Sequence, residues 1–214
     1  MRIFTKMEKK NMLESLNFAY VLIPLTVVER RGANLLTEKP MIESLRIGEA
    51  KSRYALESSE SYLVPEERPE KVFAVFAECV RRGFRGLCIT RESPKKIQKQ
   101  YDLGKACIFW LKEREQKDEN VVEDLLEVSL LIKEFTGTSS IVLLDGLEYL
   151  VSRHGFEPVY HFVQNMRNKI SASDAIMLIS AHPKAFDKAK LALLKRELRL
   201  LEYPIKTLNL GHRE

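Results

Sequence analysis

Metal-ligand spacing is missing from this sequence: it holds no CxxC pair, and its four histidines stand too far apart to form a cluster. That argues against structural zinc, whose sites need several such ligands close together. Cysteine is scarce as well. Cys79, Cys88 and Cys107 fall at separate core-like positions, which reads as buried free thiols in a reducing cytosol. No apolar run reaches the roughly twenty residues of a spanning helix. The longest membrane-like piece, Leu16 to Val28, is interrupted by Pro24 and reads as a buried helix-then-strand segment or an interface. No cleavable secretory signal is expected, and no Gly-x-Ser-x-Gly turn or other recognisable nucleophile context occurs in the sequence.

What is present suits a globular protein. The 214 residues have room for one ordinary domain plus an appendage, and 45% apolar with 30% charged residues can build a core and a solvated surface. The net charge of +5 sits at the ends. Residues 1–58 carry ten Lys/Arg against seven Asp/Glu, and residues 183–214 carry eight against four. The bland reading is a solubilising surface. The sharper one is contact with nucleic acid or an acidic partner.

The stretch Ile141–Leu150, IVLLDGLEYL, organises the rest. Four apolar residues without a polar break read as a strand buried on both faces, and Asp145-Gly146 marks its exit into a helix. Around it, SYLV, GLCITR, CIFWL and AIMLISA read as further strands. VFAVFAECVRRG, the segment after Pro94, VVEDLLEVSLLIKEF, PVYHFVQNMRNKI and PKAFDKAKLALLKRELRLL read as helices, the first stopping at Gly83. The alternation predicts an α/β fold: a mostly parallel five- or six-stranded sheet with helices on both faces over 59–214, and an N-terminal appendage over 1–58. A short helix is expected over Met41–Leu45, and PIKTLNL near the end could add an edge strand.

The stretches SYLV, RGLCITRESPKKI, IFWL and IVLLDGLEYLVSRHGFEPVYHFVQNMRNKI, in that order, resemble the domain of unknown function 835 family, an archaeal group, over roughly 60–200. That family implies no established activity. A more distant similarity is to RecA-like ATPases, especially KaiC relatives. It implies that Glu92, in ESP, stands at a catalytic-glutamate position, Asp145 at the magnesium-holding Walker B position, and His182 at a sensor position.

The phosphate loop departs from that pattern. A working loop needs glycines, so that backbone N–H groups can curl around phosphate, followed by Lys and Ser/Thr. Here PEERPEK has no glycine, two prolines and three carboxylates, Glu66, Glu67 and Glu70. Lys71 alone remains as a cation, and Val72 replaces the hydroxyl residue. The expectation is a domain of RecA-like ancestry that does not hydrolyse ATP, holds no cofactor, and acts as a cytoplasmic regulatory or signalling module. An unknown protein partner, self-association and weaker nucleic-acid contact stay open as partners, and no membrane span is expected.

Arg91, Glu92, Asp145 and His182 form the candidate cluster at the carboxyl edge of the sheet, where open α/β folds bind ligands. A closed network left from a lost site is the favoured alternative. Asp145 reads as a helix cap ahead of a metal ligand, Glu92 as a cap for the helix near Pro94, and Arg91 as an ion-pair partner for Asp145 or Glu92. Trp110 reads as core and His161 as partly buried. Leu191, Leu194, Leu198 and Leu201 form a packing stripe, with Lys184, Lys188, Lys195 and Arg199 as a basic strip opposite it.

Overall fold

A computed structural model describes residues 54–114 and 120–201. The expectations for Leu16–Val28, for Met41–Leu45 and for the tail strand at 204–210 lie outside them, as does most of the appendage. Among the described residues seven strands form one sheet: β1 (Ser61–Pro65), β2 (Arg85–Thr90), β3 (Cys107–Leu111), β4 (Val121–Val122), β5 (Ser140–Leu144), β6 (Ile176–Ala181) and β7 (Arg199–Leu200). Six helices connect them: α1 (Glu70–Arg81), α2 (Pro94–Gln100), α3 (Leu125–Phe135), α4 (Leu147–His154), α5 (Phe156–Ser171) and α6 (Lys188–Glu197). The strand order is β4-β3-β2-β5-β6-β1-β7 and each adjacent pair is parallel. This α/β architecture is consistent with a Rossmann-like or RecA-like fold.

The apolar runs explain the centre of the sheet. All five residues of β5 and all six of β6 are buried, as a parallel strand covered on both faces requires. Successive side chains point to opposite faces. Tyr62, Val64, Cys88, Ile141, Leu143 and Leu178 share one core cluster with Val72, Phe73 and Phe76 of α1. The alternate residues, among them Leu63, Ile89, Val142, Leu144 and Ile179, are equally buried. Tyr54 and Leu56, just before β1, pack on the first cluster too. Burying such a leucine or phenylalanine contributes about 1.5–3 kcal/mol each, so this two-faced core is the main source of stability. Gly83, at φ +94°, follows α1 as its predicted stop.

Three local readings are corrected. Val121 and Val122 form the edge strand β4 and do not begin a helix; α3 starts only after Asp124, whose carboxylate accepts the N–H of Leu126 and of Glu127 at 2.9 and 3.0 Å. Arg114 ties that strand to the helix, donating to Val121 O and to both Glu127 oxygens. The last helix is shorter than predicted: Pro183–Ala185 is a single 3-10 turn, Asp187 caps α6, and Arg199–Leu200 pairs with β1 as β7. Two-residue edge strands leave no periodicity in a sequence, which is why seven strands stand where five or six were expected. Among the described residues no helix is long and apolar enough to cross a membrane.

Candidate functional site

Because β1, β2, β5 and β6 are parallel and in register, their carboxyl ends converge. Pro65 pairs with Ala181 and Ile89 with Leu144, so Glu66, Arg91, Asp145 and His182 all leave the sheet at one edge. Two carboxylates there are buried, Glu66 and Asp145, both 8% exposed. Each is held by donors from its own chain.

Asp145 accepts the hydroxyl proton of Thr90 at 2.8 Å and the backbone N–H of Arg91. Thr90 Oγ1 in turn accepts the backbone N–H of Glu92 at 2.9 Å. Burial pushes the Asp145 carboxyl up to about 6, and the nearby Glu148 and Glu92 carboxylates push the same way against the Thr90 bond. Asp145 is not the predicted helix cap. Gly146, at φ +114°, occupies that position and turns the chain, leaving the Asp145 side chain to face β2.

The other predicted members are placed as follows. The Glu92 carboxylate pairs with Lys96 at 2.7 Å, one turn along, and caps nothing; Ser93 stands at the N-cap of α2 without a side-chain cap bond. The Arg91 guanidinium pairs with neither carboxylate. It lies over the Tyr149 ring at 4.1 Å and donates through Nη1 to Leu111 O at 2.5 Å. His182 donates its backbone N–H to Glu148 and accepts the N–H of Lys184 on Nδ1 at 3.2 Å, so it joins the cluster through Glu148. Arg91, Glu92 and Asp145 are thus brought together through backbone N–H groups and Thr90. Trp110 is only half-buried and donates Nε1–H to Arg91 O at 3.2 Å; it belongs to this edge and not to the core. His161 is exposed, bonded to Gln164.

The loop before α1 holds what the sequence reading missed. Glu66 turns back onto the helix, and its carboxylate accepts the N–H of Lys71 at 2.9 Å and of Val72 at 3.1 Å. The N–H of Glu70 goes to Arg68 O and that of Phe73 to Pro69 O. Pro69 at the cap has no N–H, so the three amides that the helix leaves open, those of Glu70, Lys71 and Val72, are all paired within the chain. Burial raises the Glu66 carboxyl above its ordinary range, the two N–H bonds oppose that, and the Asp145 charge adds to it. A carboxylate near an apolar run followed by a helix start is the signal that could have found this cap. The other two loop carboxylates, Glu67 and Glu70, are exposed, with Glu67 paired to Lys184 at 2.5 Å. Among the described residues no group of three or more His, Cys, Asp or Glu is placed to hold a metal.

The family model described as a protein of unknown function (DUF835) matches residues 66–198, more than half of the chain. No curated protein matches it.

Proposed function

The chain belongs to the DUF835 family, to which no function is assigned, and on that premise we propose that it is a non-catalytic regulatory or signalling interaction module of RecA-like ancestry. Its setting is an archaeal cytoplasm and its partner a protein. One observation carries this reading: the Glu66 carboxylate takes the N–H of Lys71 and Val72 at the start of α1. In a phosphate-binding α/β protein those helix-start amides cradle the anion. Here a side chain of the loop itself fills that role, and a triphosphate would meet its buried charge.

The edge chemistry supports the same reading. Asp145 is engaged by Thr90 and Arg91, and Glu92 by Lys96. These groups are partnered within the chain, Asp145 in the interior and Glu92 at the surface, as in a closed network left from an ancestral site. The alternative is a nucleotide or small-ligand sensor at the edge formed by Arg91, Glu92, Asp145 and His182. It predicts a thermal shift with one of a panel of nucleotides. The proposed reading predicts none, and no magnesium-dependent ATP hydrolysis. Hydrolysis above background that is abolished by Asp145→Ala overturns it.

A further inference from the structure

A row of side chains runs beside the buried carboxylates and is used by neither the core nor the helix cap. Lys112 Nζ lies over the Trp110 ring at 4.4 Å, and Trp110 Nε1–H donates to the Arg91 carbonyl at 3.2 Å. The Arg91 guanidinium covers the Tyr149 ring at 4.1 Å, and Arg153 approaches the same ring at 5.6 Å. Cation and aromatic ring thus alternate from the end of β3, across the end of β2, onto α4. Aromatic faces attract cations through their quadrupole and hold long side chains in one place.

Arg91 is the most constrained member. Its Nη1 is fixed on Leu111 O, its Cζ lies over the Tyr149 ring, and Gly146 leaves its aliphatic stem the space it needs. A Cβ at Gly146 would stand 2.5 Å from Arg91 Cγ. Yet Arg91 is exposed, and among the described residues no carboxylate pairs with it or with Lys112. Arg153, by contrast, already holds Glu113 at 3.0 Å and Glu123 at 3.2 Å. A rigid guanidinium with free N–H groups facing water is preorganised to take a carboxylate or phosphate oxygen.

The surroundings decide what kind of anion fits. The ring faces carry the cations of this chain, which leaves little aromatic surface for a base to stack on. Glu92, Glu113 and Glu123 border the row, and a nucleic-acid backbone with a phosphate at every step would run against them. Discrete carboxylates separated by neutral residues can meet Arg91 and Lys112 and avoid those neighbours. From this charge pattern we propose that the Lys112–Trp110–Arg91–Tyr149 row docks an acidic segment of a partner protein. The site rests on the interaction-module reading and gives it a partner class.

The test uses the full chain and a fluorescent peptide of alternating glutamate and serine, read by anisotropy, with oligothymidylate as the second probe. The peptide is expected to bind, more weakly as salt rises. Its affinity falls about tenfold or more in Arg91→Ala and in Lys112→Glu, and several-fold in Arg91→Lys, which keeps charge but loses the planar fork. Lys184→Ala with Lys195→Ala, on the separate basic strip, leaves binding unchanged. Lys112→Glu carries the test if an Arg91 variant folds poorly. Absence of peptide binding, equal loss from the Lys184 and Lys195 variant, or tighter binding of oligothymidylate than of peptide overturns the site. A chain silent towards both peptide and ATP loses this site and keeps the non-catalytic reading; magnesium-dependent hydrolysis removes the reading itself.

Discussion

Glu66 accepts the backbone N–H of Val72 at 3.1 Å, so a loop carboxylate seats on the first turn of the helix that follows it. The usual cap position is Pro69, which has no side-chain acceptor, and Glu66 supplies the acceptor from three residues further back. Carboxylates at a helix N-terminus are favoured by both the open N–H groups and the helix dipole.

Removing that carboxylate leaves two helix-start amides without their acceptor. Glu66→Ala is expected to lower stability by about 1–2 kcal/mol, and Glu66→Gln by less, because an amide oxygen still accepts. Urea unfolding at neutral pH measures both. An alanine variant as stable as the parent would show that the cap contributes nothing.

The raised Asp145 carboxyl makes a signed prediction. Its pKa is about 6 when folded and 3.8 as an ordinary aspartate, so the folded protein binds this proton more tightly than the unfolded chain does. The group therefore adds stability as pH falls through 6, with the gain complete below the unfolded value; at one pKa unit per 1.36 kcal/mol this is at most about 3 kcal/mol. Asp187 and Glu197 are lowered and act in the opposite direction. The difference between the parent and Asp145→Asn isolates the effect. It should change between pH 6 and pH 4 in favour of the parent, and a flat difference would refute the shift.

Gly146 carries two demands at once, a φ of +114° and room for Arg91. Gly146→Ala is expected to cost about 1–3 kcal/mol. In an Arg91→Ala background the largest steric part disappears, while the crowding of Leu111 Cδ2 at 3.1 Å and the backbone part stay, so the two substitutions should be non-additive in a double-mutant cycle. Strict additivity would mean that Arg91 does not lie against this turn.

Much of the fold is legible in residue order, and the reason is burial. The apolar runs in β5 and β6 are short, unbroken and bounded by turn residues, as strands covered on both faces are, and Asp124 before LLEV is a cap signal that could have placed the start of α3 correctly. Val121–Val122 and Arg199–Leu200 are strands only because a neighbour offers its edge, which no local pattern records. The site was legible as a place and less so as contacts. Glu66 counted in the sequence as one of three repelling charges, whereas the fold buries it on two amides. Asp145 read as a local cap because its real partner, Thr90, is 55 residues away in the chain. Tyr149, Trp110 and Lys112 meet Arg91 only once β2, β3 and α4 share an edge.

The most direct test of the central claim follows the backbone amide signals of Lys71 and Val72 by NMR while ATP and magnesium are added to the full chain. With the Glu66 carboxylate seated on those two amides, both signals are predicted to stay unmoved through millimolar nucleotide. Saturable shifts of both, lost in Asp145→Ala, would contradict the account and mean that the helix start still receives phosphate.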